Sequence, residues 1–317
     1  MHVAEILATE PGPFISVEII PPRRGGSIHQ VYNAVESLLP HRPRYINITS
    51  HAAEVIWQEQ PDGTFRRRVK RRSPGTFGIC AVIKYKYNIE PVPHLLCHGF
   101  TREETEDALI ELHYLGVENV LALQGEEKYA RPPRPDRTVN QYAYELVEQI
   151  IGMNQGRYLD DLTDAQPTNF CVGVAAYPEK HYQAPNLAFD IANLKRKQDA
   201  GASYAITQMF FDNAYYYAFV EKARQAGVFI PIIPGIKILT KREHVYSLPR
   251  SFHISIPEPL TQAVLSAKDD KEVLEIGLEW AYHQATDLLS HGVKNIHFYT
   301  MLYTRPLLRL MERLRLD

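Results

Sequence analysis

Hydrophobic positions in this chain fall into short runs rich in Val, Ile and aromatic residues, separated by longer stretches in which apolar residues recur every three or four positions. The runs have strand character, and the intervening stretches have the period of an amphipathic helix. In order, the predicted strands are Phe14–Ile20, Tyr45–Ser50, Val92–Cys97, Asn119–Gln124, Cys171–Tyr177, Tyr204–Phe210, Phe229–Ile233 and Asn295–Thr300. Helical periodicity covers His29–Leu39, Arg102–Leu115, Val139–Ile151, Asn186–Ala200, Ala214–Ala226 and Lys271–Ser290, and a closing helix starts at Arg305. Gly201, Gly227 and Gly292 each follow a helix where a glycine stops it.

Strand and helix alternating in this way predict an α/β fold with a parallel sheet. Eight such units fit a closed single (β/α)8 TIM barrel better than a doubly wound sheet. One barrel over residues 1–317 is therefore expected. Two segments fit this scheme poorly. Trp57–Lys86 carries the basic run Arg66–Arg72 and reads as a solvated loop or hairpin, with a phosphate-contacting or oligomer-contacting patch as the alternative. Tyr129–Arg137, charged and proline-rich, reads as a loop over the barrel top.

Composition narrows the partners. The 35 basic and 37 acidic residues leave a formal charge of −2, so no global field draws the chain to nucleic acid or an anionic membrane. The three cysteines, an odd number without CxxC spacing, argue against a disulfide framework or structural zinc. With no basic-then-apolar leader and no membrane-length apolar run, a cytoplasmic protein is expected. GxGxxG after a strand, GxxxxGK[ST], HExxH and GxSxG are all missing, which removes the usual support for Rossmann, kinase and hydrolase readings.

In a barrel of this type the chemistry gathers at the carboxyl ends of the strands. Glu18 sits there among Val17, Ile19 and Ile20, where lost solvation would keep it protonated near neutral pH and available as a proton donor. Other strand ends carry Thr49, Ser50 and His51, then His94, then Gln124, Gly125 and Glu126, then Tyr177 and His181, then Gln208, and finally His297 and Tyr299. On the helix Asn186–Ala200, Asp190, Asn193 and Lys197 share a face with Arg196 at its flank. That set suits a ribose hydroxyl, a base edge and a pyrophosphate, and it equally suits a solvated surface.

The block Val174–His181 (VAAYPEKH), with Asp190 and Asn193–Asp212, resembles the methylenetetrahydrofolate reductase family. Val17–Pro22, Pro93–Cys97, Leu121–Glu126, Pro234–Ile236 and His297–Thr300 extend the resemblance over nearly the whole chain. It implies FAD over the barrel mouth, reduced by NADH or NADPH, and hydride delivery to 5,10-methylenetetrahydrofolate to give 5-methyltetrahydrofolate. It also implies that Glu18 is the proton donor. By matched position, Thr49, Ala52, His94, Gln124, Gly125, Glu126, Tyr142, Ala143, Tyr177, His181, Asp190, Asn193, Arg196 and Lys197 would line the cofactor site. Gln208, Glu126 and Tyr303 would meet the folate, no metal is implied, and a homo-oligomer is expected.

Three positions depart from the family pattern. Gln124 and Glu126 stand where an arginine and an aspartate are usual, Ser50 replaces a frequent aromatic, and Tyr303 takes an arginine's place with Arg305 nearby. A related flavin oxidoreductase, or a weakened barrel serving as a binding subunit, are the alternative readings.

Overall fold

The computed structural model describes residues 1–315 except 72, 131, 132 and 134–136. Ten strands are present among these: β1 Phe14–Ile19, β2 Tyr45–Ile48, β3 Glu54–Glu59, β4 Phe65–Lys70, β5 Glu90–Leu96, β6 Asn119–Leu123, β7 Cys171–Ala176, β8 Tyr204–Met209, β9 Ile232–Ile236 and β10 Asn295–Tyr299. Eight close into a parallel barrel in the order β1, β10, β9, β8, β7, β6, β5, β2, with β2 returning to β1. The expected (β/α)8 barrel is therefore the observed one. β3 and β4 form a separate antiparallel hairpin.

The strands are near-continuous apolar runs because both their faces are covered, the outer by helices and the inner by the barrel interior. Val17, Ile46, Ile48, Val120, Val172, Val174 and Ala205 are all fully buried between strands and helices. Asn186 caps the helix Leu187–Asp199 by accepting from the Phe189 amide at 2.9 Å, and Thr101 and Glu104 form a reciprocal capping box on Arg102–Tyr114. These caps place the first turns of both helices, and so the loops before them, around the mouth.

Three boundaries depart from the sequence reading. The seventh barrel strand is Ile232–Ile236, three residues later than expected, because Phe229 is exposed and Pro231 has no amide to give a ladder. The helix expected from Val139 starts only at Ala143, after an extended Tyr142. Trp57–Lys86 is more than a loop: it holds the second half of β3 and all of β4, then nearly all of the helix Thr76–Tyr87 that crosses from β2 to β5. Of the basic run, Arg66–Lys70 lie on the exposed β4 strand, and Arg72 falls outside the described residues. The loop expected at Tyr129–Arg137 is likewise described only in part.

A short helix, Val3–Thr9, closes the amino-terminal end of the barrel. Its Val3 and Ile6 pack with Phe14, Tyr45, Val92, Leu121 and Tyr204, and the Val3 amide donates to Asn119 Oδ1 at 2.8 Å. The barrel is thus plugged below and open above. Cys80, Cys97 and Cys171 are buried free thiols. Among the described residues, no helix is long and apolar enough to cross a membrane.

Candidate active site

Glu18 lies on β1 opposite Asn47 of β2 and Tyr299 of β10. Its side chain is 12% exposed, and Oε2 is 3.6 Å from His94 Nε2 on β5. Burial pushes the Glu18 carboxyl up to about 7, against an opposing pull from the Lys237 ammonium. Burial likewise pulls His94 down to about 3. Near neutral pH the imidazole is therefore uncharged, and the Glu18–His94 contact is not an ion pair despite its short distance. Thr49 Oγ1 and Asn47 Oδ1 are buried in the same layer without a hydrogen-bond partner, as is His297 Nε2 beneath it. Buried polar atoms are nearly always paired in folded proteins, so a cluster of orphans at a barrel mouth marks a place built to receive something.

Beside this mouth, a cavity of about 860 Å³ opens between the loops after β5, β6 and β7. Gln124, Tyr142, Ala143, Tyr177, His181, Asp190, Asn193, Arg196 and Lys197 all line it, so nine residues expected at a cofactor share one space. The Asp190 carboxylate accepts the His181 amide at 2.8 Å, and burial raises its pKa. Lys197 Nζ donates to the Ala175 carbonyl at 2.9 Å and lies 5.9 Å from the centroid of the Tyr177 ring. Burial lowers the Lys197 pKa, while Asp190 opposes that shift. The His181 ring meets Tyr177 edge-on at 4.6 Å, and burial takes its pKa down to about 4. Lys180, at φ 99°, forms the left-handed corner that turns His181 back over this cavity.

The remaining expected residues are spread around the mouth. Thr49 and Ala52 form the wall after β2, where Ala52 packs against Gly99 and Thr76 Oγ1 donates to the Thr49 carbonyl at 3.0 Å. His94 borders a second cavity of about 370 Å³ with Ser50, His51 and Arg71. Gly125, at φ 84°, lies close against His98, where only a glycine is unstrained. Glu126 is exposed, paired with Lys128 at 2.6 Å, and does not line the 860 Å³ cavity. Gln208, at the end of β8, folds back to accept its neighbour's Met209 amide at 2.9 Å. Tyr303 is 53% exposed in the loop after β10, and Arg305, itself exposed, opens the last helix.

One residue at the mouth, Lys237, was absent from the expected strand ends, and it meets Tyr299, which was among them. Lys237 immediately follows β9 and donates through Nζ to the Tyr299 carbonyl at 2.9 Å. Tyr299 itself reaches across the mouth to the Thr207 carbonyl at 2.5 Å. Reading β9 three residues early hid Lys237, because that register placed it in a loop instead of at a strand's carboxyl end.

A closed parallel barrel with a buried carboxyl of raised pKa at its mouth and a cavity of about 860 Å³ beside it defines a (β/α)8 enzyme whose βα loops build the active site. The comparisons with known proteins make the class specific. The family model for methylenetetrahydrofolate reductase matches residues 3–315. Methylenetetrahydrofolate reductase 1 of Schizosaccharomyces pombe is 30% identical over 303 residues, which is 95% of this chain and 46% of that protein. The 5,10-methylenetetrahydrofolate reductase of Escherichia coli is 30% identical over 288 residues, 90% of this chain and 86% of that protein. Methylenetetrahydrofolate reductase (NADH) 1 of Arabidopsis thaliana is 26% identical over 297 residues, 90% of this chain and 45% of that protein. The chain belongs to the methylenetetrahydrofolate reductase family, a family of oxidoreductases. It spans about half the length of the yeast and plant relatives and most of the bacterial one. Among solved structures, a Clostridium thermocellum protein described as binding two copies of 5-methyl-5,6,7,8-tetrahydrofolic acid matches with TM-score 0.59 at 13% identity, covering 99% of this chain and 97% of that one. Oxaloacetate acetylhydrolase matches with TM-score 0.51 at 7% identity, covering 98% and 83%. These two likenesses establish the shared barrel fold.

Proposed function

We propose that this chain reduces 5,10-methylenetetrahydrofolate to 5-methyltetrahydrofolate, using FAD held in the 860 Å³ cavity and NADH or NADPH as electron donor. The observation that carries the reading is a buried carboxyl poised near pH 7 beside a cavity lined for a nucleotide. The residues present fit the flavin nucleotide. Arg196 and Lys197 supply cations for a pyrophosphate, the half of Asp190 not used by His181 can accept from a ribose hydroxyl, and Asn193 can meet a base edge. When bound, FAD would carry hydride from the nicotinamide to the folate.

The chain's own part in that reaction is proton management and placement. The five-membered ring of the substrate must open to an iminium before hydride can reach its one-carbon unit, and opening needs a proton at the departing nitrogen. Glu18 carries that proton on its carboxyl, and burial raises its pKa to about 7, so about half of the carboxyls hold the proton at neutral pH. Gln208, once released from the Met209 amide, offers both a donor and an acceptor to a pterin edge.

Purified protein with the absorption of bound flavin, and oxidation of either nicotinamide with menadione as acceptor, would test the cofactor half of the reading. Reduction of methylenetetrahydrofolate tests the other half. A colourless protein that takes up no added FAD would overturn the flavin assignment.

A further inference from the structure

We propose that Lys237 is a positioning residue for proton donation: its ammonium, anchored to the Tyr299 carbonyl two strand ends along the rim from Glu18, stabilises the carboxylate left when the Glu18 proton departs. The placement follows from register. Glu18 pairs with Tyr299, His297 pairs with Gly235 and Phe298 with Ile236, so the next step along β9 sets Lys237 beside Tyr299. Glu18, Tyr299 and Lys237 thus form a row over three adjacent strand ends. Only one of the three ammonium protons is committed to the hydrogen bond that the structure shows, the 2.9 Å contact with the Tyr299 carbonyl. The mutual electrostatic effect runs both ways: burial lowers the Lys237 pKa and Glu18 resists that change.

The other groups around Glu18 do not supply this charge. Asn47 and Thr49, from β2 and the residue after it, are neutral side chains. On β5, His94 is held neutral by burial, and His51 behind it is also lowered by burial. On β10, burial keeps the Tyr299 phenol protonated and His297 uncharged. Tyr177, across the mouth, likewise stays protonated. His244, on the far side of Lys237, is lowered by burial and by Lys237 itself. Among these described neighbours, the cation acting on Glu18 is Lys237.

The step this serves, which rests on the proposed folate reduction, balances as follows. The O–H bond of Glu18 breaks and its proton goes to the departing ring nitrogen. The C–N bond breaks with its pair retained by that nitrogen, the other nitrogen's lone pair forms the iminium, and Glu18 is left anionic. A carboxyl buried among apolar groups alone would be a poor acid because the product carboxylate is poorly solvated. An ammonium in the same layer lowers that cost as the charge develops.

Lys237→Met is therefore expected to move the basic limb of the folate half-reaction up by about one pH unit. It is also expected to lower the rate on the plateau below that limb by roughly threefold, since the donor becomes a weaker acid. Lys237→Arg keeps the charge, and its limb should stay nearer the wild-type position. The infrared band of the protonated Glu18 carboxyl, assigned by its loss in Glu18→Gln, reads the same coupling in purified protein without folate. It should titrate at higher pH in Lys237→Met, and Lys237→Gln, which retains a donor for Tyr299, should shift it in the same direction if the methionine variant does not fold. A band that titrates at the wild-type pH in folded Lys237→Met or Lys237→Gln protein overturns the proposal. If instead the wild-type chain does not reduce the folate at all, the band still reports whether Lys237 acts on Glu18, so the two failures are separable.

Discussion

The two ends of this barrel are built from the same strands and treat their polar groups in opposite ways. At the plugged end, Asn295 Oδ1 accepts the Tyr45 hydroxyl at 2.7 Å and the Ser16 hydroxyl at 3.4 Å, while its Nδ2 donates to the Phe14 carbonyl at 3.2 Å. Asn119 accepts from Val3 and donates to the Met1 carbonyl and to Glu90. The Tyr204 hydroxyl is an exception in being unpaired. At the open end, Glu18 is buried beside a neutral histidine, Thr49 and Asn47 keep unpaired oxygens, and Lys237 holds its charge largely out of water. A polar group satisfied within the fold contributes to stability, whereas one left waiting costs stability until a ligand meets it. The difference separates residues that hold the barrel shut from residues arranged for chemistry.

Substitutions at the two ends should therefore fail in different assays. The largest expected effect is Glu18→Gln, which should cut methylenetetrahydrofolate reduction by about 10²- to 10⁴-fold while nicotinamide oxidation with menadione continues. Wild-type folate rates in that variant would remove Glu18 from its role. Its stability should change in the opposite sense. The folded-state pKa of Glu18 is raised from 4.5 to about 7, so its favourable contribution is complete below pH 4.5 and is lost as pH rises through 7. Relative to Glu18→Gln, the wild type should lose about 3 kcal/mol across that window, measured by denaturant titration at several pH values.

Next in size is Asn295→Leu at the plugged end, which removes the acceptor of the Tyr45 hydroxyl and the donor to the Phe14 carbonyl, while the Ser16 hydroxyl keeps His297 Nδ1 at 2.9 Å. A loss of about 2–4 kcal/mol in unfolding free energy is expected, with the pH profile of activity unmoved. A shifted profile would show that the two ends are coupled. Asp190→Ala removes the acceptor of the His181 amide and a wall of the cavity, and should weaken flavin retention by about tenfold with little change in melting, read as flavin content after dialysis. Smallest is Tyr45→Phe, expected to cost about 1 kcal/mol and to leave flavin and turnover alone.

The barrel itself was legible because a parallel strand buried on both faces must be an apolar run, and eight such runs spaced by helical periods leave few other ways to pack. Glu18 was legible for a related reason: an acid among Val17, Ile19 and Ile20 has nowhere to be well solvated. The cluster Asp190, Asn193, Arg196 and Lys197 could be seen as one helix face, but spacing could not decide between a solvated face and a cavity wall. The fold did, by standing that helix against the loops after β5 and β6. The segment Trp57–Lys86 hid its crossover helix, Thr76–Tyr87, because the exposed hairpin before it breaks the alternating pattern.

Sequence alone determined the eight barrel strands to within a few residues, most of the helices and the identity of the buried acid, since each depends on local burial and periodicity. Only the tertiary structure decided that Lys237 stands beside Tyr299, the β10 partner of Glu18, since that depends on a three-residue shift of one strand past a proline and on the pairing of β1, β10 and β9. Such a meeting joins residues more than two hundred positions apart. Register and barrel closure set it, and no local pattern of hydrophobic and polar residues encodes either one.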